Sequence, residues 1–202
     1  MISDFLFYSM PAYSEQEIIA GCRKKDRALQ EHLYKTYYSM FLKVCARYAK
    51  SMQDAEQLLN DGFLKVFTQI DNFKNAGSFP GWMQRIMVNT CLDYLRGSAL
   101  KEEMTMHVNS VPAEESKLSV SNEALENMEF RELVKVIQLL PAMTRTVFNL
   151  FVFDGYNHKE ISKQLDITEG TSHWHVHQAR NMLQKKIMKS EQQKVTYEAK
   201  RI

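Results

Sequence analysis

Apolar residues recur at three-to-four spacing along most of this chain, the period of helices that bury one face. Period-two alternation is scarce, so the pattern predicts an all-α protein. Ser14 with Glu17 forms a capping box for a short first helix. Leu33, Tyr37, Phe41, Val44 and Tyr48 mark the inner face of a long helix from about Arg27 to Lys50. Ser51 can cap the next helix, and Asp54 suits its first turn. That helix turns Ala55, Leu58, Leu59, Phe63, Val66, Phe67 and Ile70 inward, and Glu56, Gln57, Asn60, Asp61, Lys65 and Gln69 outward. Asn75, Gly77 and Ser78 mark a loop over 72–79. Pro80 fits the first turn of a helix running to Arg96, which Gly97 can close. Trp82, Ile86, Asn89, Asp93 and Arg96 share one face of it.

From Ser98 to about Asn122 the periodicity fades into Ser, Asn, Glu and Pro112, a linker composition. Helices resume near Glu123, and Pro141 opens another with Val147, Leu150 and Phe151 inward. After Asp154-Gly155, the stretch NHKEISKQLDITEGTSHWHVHQARNMLQKKI (157–187) reads as helix, turn and longer helix, the layout of a helix-turn-helix. Ile161 and Leu165 share a face of the first helix, and Gly170 permits the sharp turn. In the second helix Ser172, Val176, Ala179, Leu183 and Ile187 lie on one side. His173, Trp174, His177, Gln178 and Asn181 lie on the other, which presents the donors, acceptors and aromatic ring that suit base edges. The expected architecture is two small helical domains, 14–97 and 123–190, joined by a flexible linker over 98–122. The tail beyond Ser190 is polar and is expected to fray.

The net charge of +2 says little until it is divided along the chain. Residues 23–96 carry twelve Lys/Arg against seven Asp/Glu, and 158–202 carry nine against five with four histidines. Between them, 101–129 carry two against seven. Two basic blocks that suit phosphate flank an acidic connector that does not. Cys22, Cys45 and Cys91 are widely spaced with no Cys-x-x-Cys, so buried free thiols are expected rather than a disulfide framework or zinc knuckle. The opening MISDFLFYSM lacks a basic leading segment and a signal-length core, and no apolar run reaches membrane-spanning length. A soluble intracellular protein is expected. His173 and His177 approach one another by helical spacing while His175 points elsewhere, and no nearby carboxylate or cysteine completes a tetrahedral set. No metal or other cofactor is expected.

The chain resembles an RNA polymerase sigma factor of the extracytoplasmic-function type, within the sigma-70 family. The resemblance rests on DAEQLLNDGFLKVF (54–67), FPGWMQRIMVNTCLDYLR (79–96) and LPAMTRTVFNLFVFDGYNHKEISKQLDITEGTSHWHVHQAR (140–180), two separate blocks in the right order. It implies a first domain that binds core polymerase, on the clamp of the largest subunit, through Gln57, Asn60, Asp61 and Lys65. It implies a specificity loop over 72–79 that captures an unpaired −10 base with Phe73, Asn75 and Phe79, and Arg85 and Arg96 in reach of phosphate. Trp82 and Asn89 are expected to be structural, with Asn89 hydrogen-bonded. The second domain, docked on the flap of the second-largest subunit, would read the −35 element through His173, Trp174, His177 and Gln178. Arg180, Lys185 and Lys186 would hold phosphates. The family usually places basic residues early in this helix, and the departure to His173, Trp174 and His175 concerns the promoter word read rather than the fold. The acidic linker matches a connector that threads toward the RNA exit path, and reads equally as a plain tether. An anti-sigma partner is implied as well, and no small-molecule substrate.

The alternative is a stand-alone regulator that binds duplex DNA through its helix-turn-helix. Such a protein needs neither the polar face of 54–67 nor a loop for unpaired bases. An enzyme finds no support: the chain shows no nucleophile–base pair, paired carboxylate site or phosphate loop. A specificity subunit without catalysis of its own accounts for both blocks.

Overall fold

The computed structural model describes residues 13–74, 77–105 and 128–199, the last turns of the longest helices as backbone only. Among the described residues there are eight α-helices, one 3-10 turn and no strand. They are α1 (Glu15–Arg23), α2 (Arg27–Ala46), α3 (Met52–Gln69), α4 (Phe79–Thr105), α5 (Met128–Gln138), α6 (Ala142–Val152), α7 (His158–Leu165) and α8 (Glu169–Ala199). None of these helices is long and apolar enough to cross a membrane.

The predicted caps form. Ser14 accepts from the Glu17 amide while Glu17 reaches back, and the Ser51 hydroxyl accepts from the Asp54 amide at 3.1 Å. A further capping box, Asn157 with Glu160, starts α7. Four boundaries differ from expectation, the simplest being that the backbone of α8 stays helical to Ala199 where the tail beyond Ser190 was expected to fray. Helix α2 stops at Ala46, so Tyr48 lies beyond its end. Helix α4 runs through Gly97 to Thr105, because Ala99, Leu100, Lys101 and Glu102 are strong helix formers that outweigh one glycine. The helix-turn-helix turns at Asp166–Thr168, not at Gly170. Asp166 adopts the left-handed conformation at the end of α7, and the Thr168 hydroxyl accepts from the Thr171 amide at 3.0 Å. Gly170 lies in the first turn of α8.

Helices α1–α4 pack around Leu33, Phe41, Leu59, Phe63, Met83 and Met87, all buried. Gly62 lets α3 approach α4: a Cβ there would meet the Met87 sulfur at 2.2 Å. Met87 is itself buried, so its side chain must repack within the core to admit a methyl group. Gly62→Ala should therefore cost about 1–2 kcal/mol, overpacking outweighing the better helix propensity of alanine. A lower urea midpoint with an unchanged slope checks this, and an unchanged midpoint would show that the two helices part freely. The three cysteines are free and buried. Burial, with Asp26 nearby, pushes the Cys22 thiol up to about 11, so it is an inert core residue.

The two halves of the chain touch. Val147, Leu150, Ile161 and Val176 of α6–α8 join the same buried cluster as the α1–α4 core. At the junction the Arg47 guanidinium meets the Asp154 carboxylate at 2.7 Å, the side chains 6% and 0% exposed. The Tyr48 hydroxyl donates to the other Asp154 oxygen at 2.5 Å, and the Gln84 amide donates to Asp154 at 3.3 Å. Asn149 and Gln138 donate to the backbone carbonyls of Arg47 and Ala49. The guanidinium also covers the Phe153 ring, 4.7 Å from its centre. Expectations placed on the linker centre and on residues 1–12 lie outside the described residues.

Candidate nucleic-acid interface

The first three turns of α8 separate into two faces as the spacing predicts. Ser172, Val176 and Ala179 are buried against α6 and α7, and Leu183 is half-buried. His173, Trp174, His177 and Arg180 are exposed, with Gln178 half-buried beside them. Trp174 leaves 54% of its surface in water. Its indole meets the His175 ring edge-on at 4.9 Å. His175 turns inward, where its Nδ1 lies 3.0 Å from the Thr144 hydroxyl, and burial lowers its pKa. The approach expected between His173 and His177 gives way to other partners. His177 bonds Asn181 at 3.0 Å, one turn along. His173 stacks on His158 of α7 with ring centres 3.5 Å apart. Each ring takes the nearest flat or polar partner, so the three histidines of α8 diverge.

The outer face of α3 presents Gln57, Asn60, Asp61 and Lys65 together. Gln57 donates to Asp61 at 3.0 Å, Asn60 accepts from the Tyr34 hydroxyl at 2.9 Å, and Lys65 reaches Asp93 of α4 at 3.1 Å. Sequence reasoning left out Leu64, which stands 64% exposed amid these polar groups. With Leu58, Thr90 and Tyr94 it lines a groove between α3 and α4. The signal was a leucine that belongs neither to the inner stripe nor to the polar set.

The loop after α3 is arranged differently from expectation. Phe73 is 4% exposed and Phe79 is fully buried, packed on each other at 5.0 Å and both against Trp82. Rings flanking a loop were expected to face an incoming base. Burial of both rings instead anchors the loop ends, since apolar area leaves water most cheaply in an existing core. The Arg23 guanidinium fixes the same corner by donating to the Phe73 carbonyl at 2.6 Å. Asn75 lies outside the described residues.

Arg85 is exposed on α4. Arg96 pairs with Asp93 at 3.1 Å and donates to the Gln164 carbonyl of α7 at 2.9 Å. Asn89 accepts from the Gln164 side chain at 2.9 Å, so it is hydrogen-bonded as expected, across the junction between halves. Trp82 stacks on Phe79 at 15° and is structural. Among the described residues no group of three metal-ligating side chains comes together.

Comparison with known proteins adds two family matches. The family model Sigma-70 region 2 matches residues 33–100, and Sigma-70, region 4 matches residues 130–183. The chain is 23% identical to RNA polymerase sigma-H factor of Pseudomonas aeruginosa over 86% of its own length and 93% of that protein's. It is 24% identical to ECF RNA polymerase sigma-E factor of Escherichia coli K12, over 86% and 94% respectively. Among solved structures, the sigma factor RpoE of Bartonella quintana, determined in complex with the anti-sigma factor NepR, superposes with a TM-score of 0.51. The identity is 18%, covering 77% of this chain and 96% of that one, a likeness of fold.

Proposed function

The chain belongs to the sigma-70 family of RNA polymerase sigma factors, as a member of the extracytoplasmic-function type, and we propose that its two halves divide a promoter between them. Residues 14–97 bind core polymerase and the −10 element, and residues 123–190 read the −35 duplex. The chain has no catalysis of its own. Polymerase performs the chemistry, and this subunit supplies binding energy and positioning in the cytoplasm.

The observation that carries the reading is the outer face of α8. An exposed run of His173, Trp174, His177 and Arg180, backed by a buried face on α6 and α7, is the form of a helix that enters a major groove. Lys185 and Lys186, exposed further along, suit phosphate. On α3, Leu64 gives the polar set Gln57, Asn60, Asp61 and Lys65 an apolar centre, the anatomy of a docking surface rather than a solvated face. Capture of a −10 base falls to the loop between the buried Phe73 and Phe79 anchors, with Arg85 toward the backbone phosphate. A stand-alone regulator has no use for the α3 surface. By likeness to the Bartonella complex, an anti-sigma protein is the expected inhibitor. The groove between halves lined by Leu92, Leu95, Met143 and Leu165, together with Lys50, Arg96 and Arg145, suits an acidic amphipathic segment of it.

The test is run-off transcription with purified core polymerase on a genomic fragment library, with and without this chain. Discrete new start sites that depend on the chain are expected, and they define the promoter words. Leu64→Glu should weaken core binding about tenfold or more, an apolar interface centre being replaced by a charge, while leaving helix content unchanged. Duplex binding by the chain alone with no new starts would favour the stand-alone regulator.

A further inference from the structure

His158 sits outside every surface assigned above. It is the first residue of α7, half-buried, yet its ring joins three elements. On one side lies Phe151 of α6, stacked at 4.4 Å and 22°. On the other lies His173 of α8, stacked at 3.5 Å and 28°. Its Nδ1 is 2.8 Å from the hydroxyl of Ser172, which is fully buried. A column of three rings thus runs from the α6 helix to the exposed start of α8. A histidine on a surface helix ordinarily samples several rotamers, and immobilising it costs free energy at the moment of binding. Here that cost is met in the free protein, because the His173 ring already lies on a fixed plane.

We propose that His158 is a positioning residue for duplex reading: clamped by Phe151 and Ser172, it holds the His173 ring in the orientation in which it meets base edges. The proposal rests on the assignment of α8 as the reading helix. His158 never touches DNA in this scheme and acts only through His173.

The arrangement carries a pH signature. A proton on His158 would sit against His173 at stacking distance, with Arg180 of the same helix adding a second positive charge and Glu169 opposing both. Phe151 and Ser172 offer no charge. Burial, then His173, lowers the His158 pKa, so the folded protein prefers the neutral ring. The sign follows: the folded-state value lies below the unfolded one. The contribution of this ring to order is complete above the usual histidine range, near pH 6.5, and is lost as pH falls through the lowered value. Acid therefore loosens the column.

The experiment measures binding of the full-length chain by fluorescence anisotropy, at fixed salt, between about pH 5.5 and about pH 8. The probes are a duplex bearing the upstream element mapped by run-off transcription and a scrambled duplex of the same composition. The readout is the ratio of the two affinities, which cancels the general gain in phosphate attraction that acid brings to any histidine-bearing surface. The wild type should discriminate well near neutrality and lose about tenfold of its ratio in acid, the scale of one base contact. His158→Ala should show the reduced ratio at every pH. His158→Phe keeps the stack but has neither the titrating group nor the Ser172 bond, so its ratio should stay above that of His158→Ala and be flat across the whole range. Full discrimination by His158→Ala would overturn the proposal, as would an acid loss in His158→Phe equal to that of the wild type. The latter outcome would move the effect onto α8 itself, where burial also lowers the pKa of His175. A wild type that never discriminates would overturn the assignment of α8 itself, and this proposal with it.

Discussion

Asp154→Ala should cost about 3–5 kcal/mol of the contact between the two halves and let them swing apart. The Asp154 carboxylate is fully buried and accepts from three groups at once: Arg47, Tyr48 and Gln84. Its removal strands a guanidinium that is only 6% exposed, together with a phenol whose pKa is held well above its ordinary value by burial and the adjacent carboxylate. Breaking one partner of a buried pair is far costlier than replacing both, because the desolvated charge left behind has no compensation. The cheapest escape for Arg47 is to regain water by opening the junction, which leaves each four-helix half intact. Small-angle scattering should show a larger radius of gyration for Asp154→Ala at unchanged helix content. The double variant Arg47→Met, Asp154→Leu should open less than the single one, since it removes both buried charges and leaves only the neutral Tyr48 hydroxyl and Gln84 amide without their acceptor. A compact single variant with wild-type stability would mean that the apolar contacts of Val147, Leu150 and Ile161 hold the junction unaided.

Trp174→Ala should weaken specific duplex binding by about 2 kcal/mol, near thirtyfold, and leave affinity for core polymerase unchanged. The indole is the largest exposed apolar group among the described side chains of α8 and is already ordered by its edge-on contact with His175, which Thr144 holds in turn. A preordered ring makes its contacts without the entropy loss of a free one, and aromatic anchors dominate such interfaces. The indole can pack on a thymine methyl or a sugar, so the loss should fall mainly on the cognate duplex. Equal loss of polymerase binding would show that the faces of the two halves have been misassigned. Because residue 174 is exposed and its Cα lies in regular helix, folding stability should change little.

Much of this was legible from local pattern. Helical periodicity located every described helix, and short-range chemistry located the caps of Ser14 and Ser51, because a capping oxygen and its amide lie within three residues of each other. The two faces of α8 followed from the same periodicity. The turn of the helix-turn-helix did not. Glycine is the commonest residue for a left-handed position, yet here Asp166 takes it, as a short polar side chain can. Phe73 and Phe79 misled for a different reason: an aromatic beside a loop suits a base or a core equally, and only their packing on each other and on Trp82 selects the core. Leu64 escaped notice because it fell between the inner apolar stripe and the outer polar set, and an outward leucine becomes conspicuous only once its neighbours are placed.

The family, the all-helical class and the order of region 2 and region 4 were thus carried in the chain itself, through periodicity and two matching blocks. The junction was not. Arg47 and Asp154 stand 107 positions apart, each beside a helix end where a charged residue would ordinarily be solvated. The same holds for His158 and His173, fifteen apart on different helices and joined only when α7 folds back on α8. Local sequence encodes which face of each helix is apolar, because that depends on neighbours three and four positions away. Which buried charge meets which, and which ring lies on which, depends on how those faces dock. Docking is a property of the packed core, where close packing admits one arrangement among many that the pattern allows.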